Sequence, residues 1–330
     1  MQTINPSDTA WLQAQAQHRA VWNLDHPAYP SRWRSLDKPP QTVWVQGQGV
    51  ARWRDDCVWQ RPALAIVGSR NPTPQGVIHA REMARSLSAL GICIVSGLAL
   101  GIDGAAHEGA LQGPPHSGMS TVAFVGTGVD RVYPRRHQTL AHQVAERGVL
   151  VSEYPLGSPA MAHHFPQRNR LIAASVDGVL VIEAALGSGS LITAYMALDM
   201  GKEVFAVPGS IHSPLSKGCH ALLRQGATLV EGLDDILQVM RPSAWSGQLQ
   251  ALGSDRTVPE ASAPADQGFA DPWGLKPHLQ SPIDLDGLVL ATGVSAHELV
   301  SVLLEWQLQG WVSELPAGRF IWLHRQLPGA

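Results

Sequence analysis

The chain has 330 residues, of which 45% are hydrophobic and 15% charged, and its formal net charge is −3. A chain of this length and apolar content can bury a large core and is expected to form more than one domain. The balanced charge excludes a protein that is basic throughout, so a site for a polyanion would have to be a local patch.

The same composition gives no sign of a membrane or secreted protein. No apolar run approaches the roughly 18 residues that a membrane helix needs, and Met1–Ala10 lacks an apolar secretory segment. The three cysteines, Cys57, Cys93 and Cys219, are far apart and show no paired spacing, which argues against a disulfide framework or a zinc site. We therefore expect a cytoplasmic protein with no membrane partner and no bound metal.

Residues 1–60 predict an N-terminal extension that caps the core. The stretch Asp25–Gly49 is rich in Trp, Tyr and Pro and shows little periodicity, which indicates irregular structure. One short strand, Val43–Gln46, is predicted near its end.

Residues 61–240 contain seven short apolar runs rich in β-branched residues. The gaps of roughly 20 to 28 residues leave room for one helix each, the pattern of a parallel sheet covered on both faces. Two gaps, Gly76–Leu90 and Ser190–Met200, show helical periodicity. We therefore predict an α/β fold with an extended Rossmann-like, doubly wound and mostly parallel sheet. Its strands are expected at Leu64–Val67, Ile92–Val95, Thr121–Val125, Val149–Ser152, Val179–Glu183, Glu203–Val207 and Ala227–Val230.

Residues 241–280 are rich in Pro, Ser, Ala, Gly and Asp, and they predict a flexible linker. Residues 281–330 predict a small winged-helix domain. The capping box Ser295–Glu298 opens an apolar helix, and Trp311–Leu315 with Arg319–Leu323 reads as a β-hairpin.

The position of the recognition helix in this small domain carries Glu298 and Glu305 and no Lys or Arg. Because duplex DNA is bound through basic groups, this charge favours a module that contacts protein or stabilises the chain. A reader of duplex DNA stays the alternative.

Glycines, serines and arginines follow the ends of most predicted strands. Ligands of open α/β sheets bind beyond the carboxyl ends of the strands, so these turns are expected to meet. Glycine turns and helix N-termini present N–H groups to anions, and arginines give bidentate contacts to phosphate. The predicted phosphate-binding residues are Gly68, Ser69, Arg70, Gly97, Gly126, Thr127, Gly128, Arg135, Arg136, Arg168, Asn169, Arg170, Gly187, Ser188, Gly189 and Ser190.

A structural role for these arginines is the competing interpretation. Between Leu64 and Met240 the chain has ten Arg and two Lys against thirteen Asp and Glu, so the domain as a whole is not basic. Each arginine would then pair with an acid such as Asp103, Asp130 or Glu183. Aromatic residues are equally ambiguous, since Tyr133, Tyr154 and Phe165 would either stack on bases or pack inside the protein.

The sequence contains none of the catalytic motifs considered for this fold class. The serines Ser96, Ser188 and Ser190 lack the Gly-x-Ser-x-Gly elbow of hydrolases, and the histidines show no metal-binding spacing. There is no phosphate-binding loop of the Gly-x-x-x-x-Gly-Lys type and no Gly-x-Gly-x-x-Gly after the first strand. Asp103 and His107 are expected to form a buried hydrogen-bonding pair. We predict binding without catalysis and without a cofactor.

Ordered motifs across Tyr29–Leu237 resemble the DprA family, also called Smf, of DNA-processing proteins in natural transformation. The segments that carry the resemblance are Val67-Gly68-Ser69-Arg70, Ser96-Gly97-Leu98-Ala99 with Gly101-Ile102-Asp103 and Ala106-His107, Gly126-Thr127-Gly128-Val129-Asp130 with Tyr133-Pro134, Ser152-Glu153-Tyr154-Pro155, Phe165-Pro166 with Arg168-Asn169-Arg170, Glu183-Ala184 with Ser188–Ala194, and Val204–Gly209.

The resemblance implies a homodimer that binds single-stranded DNA without sequence preference. It further implies loading of RecA onto DNA coated by single-strand-binding protein. By position, Arg70, one of Arg135 and Arg136, and the pair Arg168 and Arg170 would hold phosphates. We expect the dimer edge at Leu215–Gln225 and the last strand, since an edge strand must be covered or paired.

Some positions depart from the family pattern. His137 stands where Asn is common, Gly218-Cys219-His220 differs from the usual Gly-Thr-Asn or Gly-Cys-Asn, and Tyr195 replaces a frequent Arg. The residues before Asp25 are too few for the helical domain with which members often begin, so we expect that domain to be absent or truncated here.

An enzyme of the LOG family of nucleotide phosphoribohydrolases is the alternative function, because these enzymes share a related Rossmann core. These enzymes carry a motif similar to Pro-Gly-Gly-x-Gly-Thr after a late strand of the sheet. At that turn this chain has Leu186-Gly187-Ser188-Gly189-Ser190. Because the proline and the double glycine are missing, the sequence disfavours a phosphoribohydrolase.

Overall fold

The computed structural model describes residues 6–54, 62–114, 119–240, 274–280, 283–308, 312–315 and 319–322. The chain divides into two compact units, Met1–Gly247 and Gln248–Ala330. Within the described ranges, no helix combines the length and the apolar character required to cross a membrane.

The first unit is built on one nine-stranded sheet. Its spatial order is β1-β2-β6-β5-β4-β3-β7-β8-β9. All pairings among the seven strands β3 to β9 are parallel. The strands are β1 (Arg19–Asn23), β2 (Thr42–Gln46), β3 (Ala63–Val67), β4 (Cys93–Ser96), β5 (Thr121–Phe124), β6 (Val149–Ser152), β7 (Gly178–Val181), β8 (Glu203–Ala206) and β9 (Thr228–Leu229).

All seven apolar runs of the predicted Rossmann-like domain form strands, with ends that shift by one or two residues. Strand β3 shows why the pattern is readable. Leu64 and Ile66 belong to one hydrophobic cluster, Ala65 and Val67 to another, and all four are buried. Because both faces of the sheet are covered, the strand is apolar throughout, as parallel strands require. The predicted α/β Rossmann-like fold is confirmed.

Helices cover both faces of this sheet. Leu171, Leu191 and Leu222, from α7, α8 and α9, belong to the cluster that includes Ala65, whereas α4, α5 and α10 contribute to the cluster that includes Leu64. The helices of the first unit are α1 (Pro6–Ala14), α2 (Ser31–Arg34), α3 (Val50–Arg54), α4 (Pro74–Ala89), α5 (Ile102–Gln112), α6 (Gln138–Arg147), α7 (His164–Ser175), α8 (Gly189–Asp199), α9 (Lys217–Arg224) and α10 (Leu233–Val239), with 3-10 turns at Arg135–His137 and Pro214–Ser216.

The N-terminal extension does more than cap the core. It supplies β1 and β2, which extend the sheet beyond β6 in antiparallel pairing. Strand β1 precedes the stretch Asp25–Gly49 and is absent from the sequence-based prediction, whereas β2 matches the strand predicted at Val43–Gln46. The tryptophans of this region explain its composition: Trp22 and Trp53 are buried with ring centroids 5.2 Å apart, and the Trp33 indole N–H donates to Ser175 Oγ at 2.8 Å.

The second unit contains a 3-10 segment (Lys276–Gln280), α11 (Leu285–Thr292), α12 (Ala296–Leu308) and a three-stranded sheet of order β10-β12-β11. Its strands are β10 (Ile283–Asp284), β11 (Val312–Leu315) and β12 (Arg319–Trp322). The antiparallel β11–β12 pair confirms the predicted hairpin. The winged-helix assignment stays a prediction.

The predicted linker, 241–280, lies outside the described residues from 241 to 273. Its last part is ordered, because Leu275 and Leu279 are buried in the core of the second unit. That core therefore includes residues that the sequence pattern assigned to the linker.

The strand order places a switch point at the centre of the main sheet. From β3 the chain moves outward through β4, β5 and β6, and then returns to β7 on the other side of β3. The loops that follow β3 and β7 diverge there, which opens a crevice at the carboxyl ends of the strands.

Candidate nucleic-acid interface

A cavity of about 750 Å³ lies at this switch point. It gathers residues from the turn after β3, the turn before α8 and the first half of α7. The predicted site residues that line it are Gly68, Ser69, Arg70, Arg168, Asn169, Gly187, Ser188, Gly189 and Ser190. The remaining predicted residues, Gly97, Gly126, Thr127, Gly128, Arg135, Arg136 and Arg170, are not part of the lining.

The turn after β3 is fixed by its own backbone. The Ser69 N–H donates to the Glu183 carbonyl at 2.7 Å, and the Ser69 carbonyl accepts from the Ile102 N–H at 3.1 Å. Gly68 has no room for a side chain, since a Cβ there would lie 2.7 Å from Cγ1 of Ile102. The backbone N–H of Ser69 is therefore not available to a phosphate.

Arg70 is the exposed cation of this turn. Its guanidinium carbon lies 5.5 Å from the centroid of the Phe165 ring, a cation–π contact. Within the described residues it forms no ion pair and no hydrogen bond through its side chain. All of its guanidinium donors are therefore free to bind an anion in the cavity.

Helix α8 begins at the opposite wall. Ser188 caps it by accepting from the Ser190 N–H at 3.3 Å, and the two hydroxyl oxygens lie 2.7 Å apart. A Cβ at Gly187 or Gly189 would meet nothing within 4 Å. These glycines are not required by packing, and they leave the space in front of the helix open.

Thr193 adds a polar group that the sequence pattern did not single out. It lies one turn after Gly189, lines the cavity and is 1% exposed. Since residues four apart share a helix face, the spacing from Gly189 was the available signal. Thr193 lines the cavity from the same helix as Ser190 and adds a second hydroxyl of α8 to its wall.

The other N–H clusters near the cavity are already occupied by carboxylates. Glu183 accepts from the Thr73 N–H at 2.9 Å and from its hydroxyl at 2.5 Å, at the start of α4. Asp103 accepts from the N–H groups of Gly97 (3.1 Å) and Ala99 (3.4 Å). The start of α8 carries a neutral serine instead, so its dipole is left for an external anion.

Arg168 corrects one of the predictions. It is 4% exposed, and its Nη1 donates to the Gly97 carbonyl at 2.7 Å and to the Phe124 carbonyl. Burial lowers its pKa to about 10, which keeps it protonated at neutral pH. The guanidinium therefore ties the ends of β4 and β5 together beneath the cavity, and it is not a free phosphate ligand.

Asn169 has a similar internal role, although it lines the cavity. Its Oδ1 accepts from Arg168 Nε at 3.1 Å, and its Nδ2 donates to the Gly189 carbonyl at 3.3 Å. It thereby links Arg168 to the first residue of α8. Asn169 positions the open helix end, and its own polar atoms are largely used.

Arg170 also forms an ion pair inside the protein, as expected if its role is structural. Its Nη1 and Nη2 donate to the two carboxylate oxygens of Glu153 at 2.8 and 2.6 Å, a bidentate ion pair. The partner is Glu153, which was not among the acids expected. Because the guanidinium is engaged and lies outside the cavity lining, the expectation of a phosphate contact is corrected.

The glycine turn after β5 is internal as well. The Gly128 N–H donates to the Ser158 carbonyl at 3.0 Å, and the Gly126 carbonyl accepts from His164 Nδ1 at 2.9 Å. Thr127 donates its hydroxyl hydrogen to the Arg131 carbonyl at 2.6 Å. Gly126, Thr127 and Gly128 are buried and lie outside the cavity lining, so this turn supports the wall from inside the protein. The same holds for Gly97, whose N–H is bound by Asp103.

Arg135 and Arg136 lie on the 3-10 turn that follows Tyr133-Pro134, and both are exposed. They are outside the cavity lining. Unlike Arg168 and Arg170, neither has a side-chain partner among the described residues. They remain available to an extended polyanion that continues beyond the cavity.

Asp103 and His107 are both buried, at 8% and 0% exposed, but they bind different partners. His107 Nδ1 lies 2.7 Å from Thr121 Oγ1, whereas Asp103 holds the turn after β4. The expected Asp103–His107 hydrogen bond is therefore corrected. Burial lowers the pKa of His107 to about 3. Burial raises the pKa of Asp103, although the nearby Arg168 charge acts in the opposite direction on this carboxyl group.

The fold and the cavity define a Rossmann-like α/β protein with a crevice at its switch point, lined by Arg70 and the start of α8. The family model for DNA recombination-mediator protein A matches residues 20–241. The chain belongs to this family.

Two relatives and two solved structures show the extent of the similarity. The chain is 38% identical to Protein Smf of Escherichia coli over 320 residues, which is 94% of this chain and 79% of the relative. It is 44% identical to DNA processing protein DprA of Streptococcus pneumoniae over 176 residues, 53% of this chain and 61% of that protein.

The X-ray structure of the Streptococcus pneumoniae protein matches with a TM-score of 0.60 and 36% identity, covering 72% of this chain and 83% of that one. DNA processing protein A of Helicobacter pylori, described with its single-stranded DNA binding mode, matches with a TM-score of 0.58 and 29% identity. That similarity covers 67% of this chain and 95% of the other.

Proposed function

We propose that this chain binds single-stranded DNA without sequence preference in the switch-point cavity. One observation carries the proposal: Arg70, which is exposed and has no ion pair within the described part of the chain, faces the open start of α8 across one cavity. A backbone phosphate placed between them would accept from the guanidinium and face the helix dipole. Ser188, Ser190 and Thr193 supply hydroxyl donors on the same wall.

Sequence independence follows from the kind of groups that the cavity offers. Helix N–H groups, hydroxyls and a guanidinium recognise phosphate, and phosphate contacts carry no base information. The Helicobacter pylori relative is described by its single-stranded DNA binding mode, which supports the same ligand here. No catalytic group is part of the proposal.

The phosphoribohydrolase alternative gains no support from the geometry. Its reaction needs an available catalytic carboxylate, and the Glu183 carboxylate is held by Thr73 and is absent from the cavity lining. The cavity carboxyl group, Asp103, is bound to two backbone N–H groups.

We further propose that the bound strand is handed to RecA, as the family resemblance implies, including on DNA coated by single-strand-binding protein. A homodimer is expected through α9 and β9, because β9 is the edge of the sheet among the described strands and pairs there with β8 alone. Light scattering tests the dimer: a monomer at micromolar concentration would contradict it. RecA filament growth on coated DNA, with and without the protein, tests the loading step.

The first experiment measures single-strand affinity. A fluorescent oligo-dT of about 20 nucleotides is titrated at two salt concentrations, with duplex of the same length as competitor. We expect binding that weakens steeply with salt, because phosphate neutralisation releases counterions. Arg70→Ala should lower the affinity roughly tenfold to a hundredfold, the effect of one charge-assisted hydrogen-bonding group.

Arg85→Ala is the matched control, since Arg85 is an exposed arginine on α4 outside the cavity lining. It should bind like the wild type. Absence of binding at low salt, or equal binding by Arg70→Ala and Arg85→Ala, would contradict the proposed site. Release of base from a nucleoside monophosphate would establish the hydrolase alternative.

A further inference from the structure

Tyr133 is a half-exposed aromatic residue at the mouth of the cavity. It lines the cavity and keeps 50% of its surface accessible. A single exposed tyrosine needs no functional explanation. Its neighbours make the difference here.

The ring of Phe165 is held on several sides. The Tyr133 ring lies 5.6 Å from it, with the planes tilted by 40°, and Arg70 lies over it at 5.5 Å. Phe165 also packs against Gly126, where a Cβ would approach the ring to 3.0 Å. Phe165 thus supports both Arg70 and Tyr133, and Tyr133 presents the larger accessible aromatic surface.

Tyr154, the third aromatic residue considered above, has a packing role. Its ring stacks on His164 with centroids 3.7 Å apart, and its hydroxyl donates to the His164 carbonyl at 3.2 Å. It does not line the cavity. The exposed ring is therefore specific to Tyr133 among these three residues.

The position of Tyr133 along the chain joins the cavity to a second cationic segment. Two residues later, the exposed Arg135 and Arg136 begin the 3-10 turn outside the cavity. Phe165 thus contacts both Arg70, the proposed phosphate ligand, and the ring of Tyr133. Tyr133 is in turn close in sequence to two further exposed arginines. Alternating cations and aromatic rings are what a single strand requires, since each nucleotide has one phosphate and one base.

We infer that Tyr133 stacks on one base of the bound strand, at the point where the strand leaves the cavity toward Arg135 and Arg136. This inference rests on the proposed function. A base on Tyr133 adds affinity without sequence preference, because every base has a flat face. Tyr133 is thus the base contact of an interface that otherwise binds phosphates.

The test compares oligo-dT with an abasic oligonucleotide of equal length and charge. Wild-type protein should bind oligo-dT more tightly, and Tyr133→Ala should lose roughly 5- to 150-fold on oligo-dT and little on the abasic strand. Tyr133→Phe should behave like the wild type. Tyr133→Leu, which keeps apolar contact with Phe165, should resemble Tyr133→Ala.

Arg70→Ala serves as the matched contrast, because a phosphate contact is present in both strands. It should lose the same factor on oligo-dT and on the abasic strand. Equal losses on the two strands for Tyr133→Ala would show that the ring only positions Phe165 and Arg70, and would overturn the stacking role. Absent wild-type binding, or no effect of Arg70→Ala, would overturn the proposed function instead.

Discussion

The two walls of the cavity use the same residue types for opposite purposes. On the β4 and β5 side, the N–H groups of Gly97 and Gly128 and the Arg168 guanidinium are bound by acceptors inside the protein. On the β3 and β7 side, Arg70 is exposed without a side-chain partner among the described residues, and the start of α8 faces open space with no carboxylate bound to it. A glycine or an arginine after a strand therefore predicts an anion site only where no protein acceptor or carboxylate reaches it first.

The largest effect expected from breaking this contrast is on stability, at Arg168. Arg168→Ala should lower the free energy of unfolding by about 3–5 kcal/mol, because it removes the nearby positive charge from the buried Asp103. Urea denaturation followed by tryptophan fluorescence measures the change, with Arg85→Ala as control. If the variant kept wild-type stability and lost only DNA affinity, Arg168 would be a DNA-binding residue and the structural role would be wrong.

Arg170 should show a smaller effect of the same kind. Arg170→Ala breaks the bidentate pair with the largely buried Glu153 and should cost about 1.5–3 kcal/mol of stability. Single-strand affinity of the folded protein should stay at the wild-type level. The same substitution in a Glu153→Gln background should cost less. A loss of affinity matching that of Arg70→Ala would contradict this assignment.

Two glycine substitutions sharpen the comparison within the cavity. Gly68→Ala would place a Cβ 2.7 Å from Ile102 and should destabilise the fold by about 1–3 kcal/mol. Gly189→Ala meets nothing within 4 Å, and its better helix propensity should leave stability unchanged or raised by up to about 1 kcal/mol. Its methyl group should still weaken oligo-dT binding several-fold, by filling the space for phosphate. Equal behaviour of the two variants in denaturation and titration would refute the distinction.

The smallest effect is expected outside the cavity. The double variant Arg135→Ala/Arg136→Ala should keep full stability, because both side chains are exposed and lack partners among the described residues. It should flatten the salt dependence of long oligo-dT binding by up to about 1.4 in log–log slope, the value for two phosphates on a single strand. An oligonucleotide short enough to occupy only the cavity should show no change.

Much of the fold could be predicted because its signals are local. Strands buried on both faces must be apolar throughout, and seven such runs gave seven strands with nearly correct ends. Strand β1 could not be recognised, since Arg19–Asn23 begins and ends with a polar residue and is defined by its pairing with β2. Likewise, Thr193 is an ordinary helix residue until the cavity is seen.

By itself, the sequence determined the Rossmann-like architecture, the family membership and the two turns, after β3 and before α8, that line the cavity. Apolar periodicity and glycine placement are properties of neighbouring residues, so they can be read along the chain. Only the tertiary structure decided which arginines are free. Arg70, Arg168 and Arg170 look alike in sequence, but their acceptors come from distant strands. Burial and those long-range partners leave Arg70 open and consume Arg168 and Arg170.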